Sequence, residues 1–521
     1  MKEITASEAR ALVHGPGEVA FLDVREAGQF GEAHPLFAIP LPYSRLEMRI
    51  RDLVPLDHTP ILLIDGGDGI AQRAARQLET LCYDDVSIIT GGVHAWATAG
   101  YTLYKGVNVP SKTLGELAEA IWHPQTIQPT ELADWQKTGA RFAFFDTRPP
   151  EECAKMRVPG ARCVPNGELA HRLAIVDKDA PVVLTCAGRT RGIIGAIGLR
   201  LSGHDGPIFA LENGTQGWTL AGLTLDRGNT VDPLPDIDTA AEDLSKDRAT
   251  RLLATYSIDR TDGETAAKLL SDTARTTYLF DLRSRDEIDK DPVPAAEIVL
   301  GGQLVQATDQ WVGVRRSRIL LACDGGLRSA LAAFWLKQLG YEPLVVVVDP
   351  ALRAIEKRDA PLRPSKSIGL IGASAALAAV KAGALLIDLR SSIAYRHAHV
   401  EGAVWSIRPR LATLGPLNER SVIVVSDTQD IANLATNELA ALGAGRTYWV
   451  EGGHKALVAA GARIAQFNPG PFDVEAIDHL FFVHDRHDGN LEACRRYLAW
   501  ERGLVAQLDT VERSEFRMIT P

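Results

Sequence analysis

Four times along the chain an apolar run ends in Asp-x-Arg. The segments are Phe21-Leu22-Asp23-Val24-Arg25, Phe144-Phe145-Asp146-Thr147-Arg148, Leu279-Phe280-Asp281-Leu282-Arg283 and Leu386-Ile387-Asp388-Leu389-Arg390. A second apolar run follows each one, and the next residue is Asp65, Cys186, Cys323 or Ser426. These residues lie 42, 40, 42 and 38 positions after the corresponding Asp. Near-equal spacing at four places marks an internal repeat, so the chain writes one folding unit several times. At about 100 residues per copy, each unit has ordinary domain size.

A third landmark lies 26 or 27 residues beyond the second in three copies. It is Gly91-Gly92-Val93-His94-Ala95-Trp96 in copy one, Asn213-Gly214-Thr215-Gln216-Gly217-Trp218 in copy two and Gly452-Gly453-His454 in copy four. Copy three has Val348-Asp349-Pro350 there and is degenerate. Trp96 and Trp218 read as core or turn anchors. Between the second and third landmarks the apolar spacing is helical: Ile193, Ile194, Ile197 and Leu201 precede Gly203, and Leu331, Phe334, Trp335 and Leu339 precede Gly340. Short buried strands alternating with helices predict an α/β fold, each copy a small parallel sheet flanked by helices.

The expected boundaries follow. Residues 1–106, 107–228, 251–362 and 363–467 are four modules, and 229–250 is a linker. Residues 468–521 form a partly helical C-terminal tail to which the sequence assigns no chemistry. Gly106 to Gln128 reads as a structured connector. Asp232-Pro233-Leu234-Pro235-Asp236 marks a flexible linker, and Pro361 to Ser367 a short joint.

A length of 521 residues exceeds what a single core serves. Net charge is -10, which argues against a nucleic-acid partner. No run approaches the roughly 18 apolar residues of a membrane span, and Met1-Lys2-Glu3-Ile4-Thr5 lacks the apolar core of a signal peptide. The chain therefore reads as cytoplasmic, with no membrane partner. Its six cysteines show neither metal-ligand spacing nor a disulfide framework, so no cofactor or metal is expected. Cys82, Cys163 and Cys494 read as small buried hydrophobes. Cys153 reads the same way, against the alternative of a resolving partner for an oxidised Cys186.

Cys186 and Cys323 open the same loop, Cys186-Ala187-Gly188-Arg189-Thr190-Arg191 and Cys323-Asp324-Gly325-Gly326-Leu327-Arg328. A cysteine between a strand end and a helix N-terminus faces backbone N–H groups, and the helix dipole favours a thiolate there. The arginine adds a fixed cation with a fork of donors for an anion. Asp324 is a negative charge beside Cys323 and disfavours its thiolate.

Asp-x-Arg, the Cys-x4-Arg loop and the Gly-Gly…Trp turn, in this order and spacing, resemble the rhodanese family of sulfurtransferases. The resemblance covers nearly all of residues 1–468 as four tandem rhodanese-like modules. In related cell-cycle phosphatases the loop is one residue longer; the shorter loop here implies sulfur transfer rather than phosphate hydrolysis. The resemblance implies catalytic Cys186 and Cys323, with Ala187 to Arg191 and Asp324 to Arg328 binding substrate. Asp146, Arg148, Asp281 and Arg283 support the loops.

The implied partners are a small anionic sulfur donor such as thiosulfate and a thiol or cyanide acceptor, passing through a cysteine persulfide. The alternatives are a persulfide relay to a sulfur-accepting protein, or a redox-sensing or binding scaffold. Copies one and four carry Asp65 and Ser426 for the cysteine and Ile70 and Ile431 for the arginine, so the activity does not carry over to them.

Overall fold

The computed structural model describes residues 2–231, 233–357, 368–466, 475–484, 486 and 490–521. The joint expected at Pro361 to Ser367 lies outside the described residues, as do Asp232 of the linker and residues 468–474 of the tail. Among the described residues no helix is long and apolar enough to cross a membrane.

Four parallel sheets repeat one topology. In each, five strands of one copy, counted in chain order, pair as 1-5-4-2-3, and the first sheet has a sixth strand. In the second sheet these are Gln125–Ile127, Ala143–Asp146, Arg162–Cys163, Val182–Thr185 and Ile208–Leu211. The two central strands are buried on both faces, so they read as continuous apolar runs rather than alternating ones. The α/β expectation is borne out.

Register explains the sequence spacing. Asp23 pairs with Ile64, Asp146 with Thr185, Asp281 with Ala322 and Asp388 with Val425. Each Asp-x-Arg aspartate thus sits beside the residue just before the second landmark. The chain leaves strands 2 and 4 in opposite directions across the sheet, which makes their carboxyl ends a topological switch point, where open α/β sheets bind ligands.

The chain divides into two compact units. One holds Met1–Ala9, Ala20–Gly106 and Ala360–Phe481; the other holds Arg10–Val19, Val107–Asp359 and Phe482–Pro521. The outer copies share the first unit, where Arg408 of the fourth segment meets Glu47 of the first through two bonds of 2.6 and 2.8 Å. The inner copies, which carry Cys186 and Cys323, share the second.

Three expectations are corrected. The linker 229–250 is only partly a linker: Thr239–Thr255 is a helix, opened by Asp238, whose side chain accepts from the Ala241 amide at 2.8 Å. Its charged residues face outward while Ser245, Ala249, Leu252 and Leu253 are buried, so a segment that reads as acidic linker has an apolar stripe. Cys82 is exposed rather than buried, at a left-handed φ of 69° just past the helix Ile70–Thr80. Cys153 and Cys163 are joined to each other, with Cα atoms 6.3 Å apart. This corrects the reading of both as free thiols, and it leaves no free Cys153 thiol for the alternative of a partner for Cys186. The strand Arg162–Cys163 lies beside Ala143–Asp146, whose following turn leads into the helix Pro150–Lys155 that carries Cys153. The connector from Gly106 is structured, as expected: Val109–Trp122 is a helix with Pro110 in its first turn.

Candidate active site

Cys186 closes the strand Val182–Thr185, and the helix Thr190–Leu201 begins four residues later. The residue is 2% exposed. Burial raises its thiol pKa above the ordinary value, against the pull of the Arg191 charge and of the Gly192 and Gly188 amides. The helix-terminal loop is present as expected, but in the ligand-free protein desolvation outweighs it.

The turn at the third landmark closes on this loop. The Thr215 amide donates to the Cys186 carbonyl at 2.8 Å. Gly214 has φ +53°, and a Cβ there would stand 2.2 Å from the Cys186 carbonyl oxygen, so only glycine fits. In the first segment Val93 N bonds Asp65 O at 2.9 Å; in the third, where no glycine turn exists, Val348 N bonds Cys323 O at 3.0 Å. The degenerate landmark therefore keeps the hydrogen bond and loses only the tight turn.

Both loop arginines are gripped. Arg191 meets Glu152 through two bonds of 2.6 and 2.8 Å and Gln303 at 3.0 Å, while Asn166 donates to the Arg191 carbonyl at 2.9 Å. Burial opposes the Glu152 charge, but Arg191 and Arg148 hold its carboxyl below the usual range. Arg189, the extra arginine of this loop, is turned to Glu116 at 2.7 Å and to Glu119. Thr190 Oγ1 donates to Glu501 Oε1 at 2.9 Å.

The Asp-x-Arg arginines turn back onto their own aspartates. Arg148 Nε and Nη2 donate to Asp146 at 2.9 and 2.7 Å, and Nη2 also donates to the Met156 carbonyl at 2.5 Å. Arg283 does the same with Asp281 and the Asp291 carbonyl, at 2.7 Å each through Nη2. Arg25 and Arg390 repeat the pattern in the copies without a loop cysteine, so it does not depend on that cysteine.

A cavity of about 370 Å³ opens on Cys186 and its loop. Arg148, Lys155 and Arg191 form part of its wall, and so do Tyr497 and Glu501 of the C-terminal segment. The sequence assigned that segment no chemistry. The helix Leu491–Arg502 brings it there, capped by Asn490, whose side chain accepts from Ala493 N at 3.0 Å.

Cys323 is placed differently. It is fully buried, with Sγ 2.8 Å from Ser329 Oγ and 3.3 Å from the Gly325 amide. Burial and the Asp324 charge push its thiol up to about 11, against Arg328 and Ser329. Ser245, on the helix Thr239–Thr255, takes up the Leu327 amide at 3.1 Å, and His171 Nδ1 lies 3.0 Å from the same hydroxyl. Burial and the Arg328 charge lower the His171 pKa to about 4, so it is neutral at pH 7 and its 3.6 Å approach to Asp324 is not an ion pair. A side chain at Gly326 would meet Ser245 Oγ at 2.7 Å. Arg328 is 1% exposed and committed to Glu287 at 2.6 and 2.7 Å, with Glu168 at 3.2 Å.

In the other unit Asp65 fills its own loop. Its oxygens accept from the Gly67 and Ala71 amides at 2.8 and 3.0 Å, a side-chain anion in the amide nest. Ser426 Oγ donates to the Thr428 carbonyl at 2.7 Å.

The Rhodanese-like domain family matches the chain twice, at residues 5–99 and 128–221. The crystal structure of a thiosulfate sulfurtransferase from Pseudomonas aeruginosa is similar over 100% of both chains, at 34% identity and a TM-score of 0.89. An HTH-type transcriptional regulator from Mycobacterium tuberculosis is 36% identical over 119 residues; the match spans 23% of this chain and 49% of the regulator's length.

Proposed function

Since the chain belongs to the rhodanese family of sulfurtransferases, we propose that it transfers sulfane sulfur from thiosulfate or a related anionic donor to a small thiol or cyanide, with Cys186 as the carrier. The observation that carries this reading is the coincidence at one loop of a cysteine, an arginine and a cavity of about 370 Å³. We read the four parallel sheets as four modules, with the inner two retaining the cysteine.

In the first half the Cys186 thiolate attacks the outer sulfur of thiosulfate. The sulfur–sulfur bond of the donor breaks, sulfite leaves with the electron pair, and Cys186 carries a persulfide. In the second half an acceptor thiolate attacks the outer sulfur, the persulfide bond breaks, and the Cys186 thiolate is regenerated. Cyanide would give thiocyanate by the same displacement. Splitting one transfer into two displacements is covalent catalysis, with double-displacement kinetics.

Arg191 and Lys155 offer positive charge to the donor's sulfonate oxygens, and the Gly188 and Gly192 amides face the sulfur that gains charge. Bound anion and neighbouring cations also favour the chemistry by displacing water from the cavity. A cavity lined in this way supports a small acceptor over a protein thiol. Cys323, under Ser245 and His171, serves as a closed second loop.

Incubation with thiosulfate followed by intact mass measurement tests the reading. A reductant-labile gain of one sulfur, lost in Cys186→Ser, is expected. Folded protein that gains no sulfur would leave the scaffold reading.

A further inference from the structure

Two buried oxygens beside the Cys186 loop are left without a donor. Glu501 is 2% exposed; its Oε1 accepts from Thr190, while its Oε2 finds no hydrogen-bond donor among the described residues. Gln216 is 4% exposed; its Nε2 donates to the Ala187 carbonyl at 3.1 Å, and its Oε1 is likewise unmatched. Both side chains converge on Gly188: a Cβ there would lie 3.2 Å from Glu501 Oε2 and 3.3 Å from Gln216 Nε2. Glu501 and Gln216 both line the cavity that opens on Cys186.

A buried carboxylate oxygen without a donor is costly in a finished core, and it is where a ligand's donor belongs. The unmatched oxygen belongs to a carboxylate, which favours a charged donor. Arg189 on this side is shared by Glu116 and Glu119, and the Arg486 guanidinium lies over the Tyr497 ring, 3.7 Å from its centroid. Glu501 adds a third carboxylate, and its Oε2 accepts from none of these cations. Lys112, which also lines the cavity, turns its ammonium to the Val107 carbonyl at 2.7 Å. The Tyr497 ring edge stands 3.9 Å from the same Gly188 position. Arg148, Arg191 and Lys155 lie on the wall suited to an anion.

We propose that Glu501 and Gln216 form an acceptor subsite that receives the ammonium group of a low-molecular-weight aminothiol while its sulfur reaches Cys186. An ammonium has three donors and no acceptor, which matches a carboxylate oxygen and an amide oxygen left unmatched on two residues that line one cavity. The inference rests on the proposed sulfur transfer for its purpose, but its test does not. The subsite also gives the C-terminal segment a role: it supplies specificity to a loop whose other parts come from residues 107–228.

The test is binding to the Cys186→Ser protein, which cannot carry sulfur there. Calorimetry compares cysteamine with 2-mercaptoethanol, which has a hydroxyl in place of the ammonium. Cysteamine is expected to bind at least about tenfold more tightly, as for a charge-assisted hydrogen bond. Glu501→Gln in the same background erases the difference. Equal binding of the two thiols, or a preference that survives Glu501→Gln, overturns the proposal. A second measurement needs no variant. Ethanolamine should slow iodoacetamide labelling of Cys186 in the unmodified protein, and ethylene glycol should not; equal effects also overturn it. Failure of the thiosulfate adduct would instead strike the proposed function and leave these binding results readable.

Discussion

Glu152 holds Arg191 through both of its carboxylate oxygens, at 2.6 and 2.8 Å. Glu287 holds Arg328 in the same way, and each glutamate stands six residues after the aspartate of its Asp-x-Arg. The corresponding positions in the other copies are Gln29 and Ala394, where no loop arginine needs a partner. Arginine and glutamate are thus kept or lost together, and the glutamate fixes the orientation of the guanidinium.

Glu152→Gln leaves a hydrogen-bond acceptor beside Arg191 and removes one negative charge from the donor wall. Two opposing effects follow, looser positioning and a more positive cavity. At a few ångströms the charge effect is larger. The KM for thiosulfate should fall about tenfold, read from initial rates across donor concentration. A rise in KM would show that the glutamate's main contribution is to orient Arg191.

The two thiols should differ in reactivity. Cys323 is sealed by Ser245 and His171 and has its thiol pushed up to about 11. Iodoacetamide should label Cys186 about a hundredfold faster than Cys323 in native protein, since the thiolate is the nucleophile and access is required. Peptide mass spectrometry over a time course checks this. Comparable rates would mean that the Ser245 helix opens readily.

The pH dependence follows from burial of Cys186. A thiol whose pKa is raised is mostly protonated at neutral pH, so each unit of pH below that pKa costs about a tenfold loss of thiolate. Persulfide formation should keep rising with pH past the range of an ordinary thiol. Glu501 raises the Cys186 pKa further, so Glu501→Gln should move the rising limb to lower pH. Rapid-mixing rates of sulfur loading between neutral and alkaline pH provide the measurement, and a limb unmoved by Glu501→Gln would contradict the electrostatic account.

Asp65 tests the loop in the other unit. Asp65→Ala strands the Gly67 and Ala71 amides that now donate to its carboxylate. A loss of about 2 kcal/mol is expected in denaturant unfolding. Asp65→Cys should gain no sulfur from thiosulfate, because Ile70 stands where the arginine would be.

Much of this was legible in the chain, for a local reason. Asp-x-Arg and the second landmark keep their distance because Asp146 pairs with Thr185, and its equivalents pair likewise, in all four sheets. The helix after each loop shows its period in the apolar residues. What could not be read depends on contacts between distant segments. Glu501 lies 311 residues from Thr190, and its helix resembles any charged surface helix until it meets the loop. Ser245 reads as a polar residue in an acidic linker, and only packing shows that it sits on the Leu327 amide. The pairing of Cys153 with Cys163 is not legible in the sequence, because the two lie ten positions apart and no framework spacing marks them. The Glu152 and Glu287 signal was available in the sequence, at a fixed offset from Asp-x-Arg and only in the two copies with loop arginines.

The most direct test of the account is intact mass after brief exposure to thiosulfate, for the wild type and for Cys186→Ser and Cys323→Ser. The account predicts one reductant-labile sulfur on the wild type and on Cys323→Ser, and none on Cys186→Ser. Sulfur retained on Cys186→Ser and lost from Cys323→Ser would contradict it.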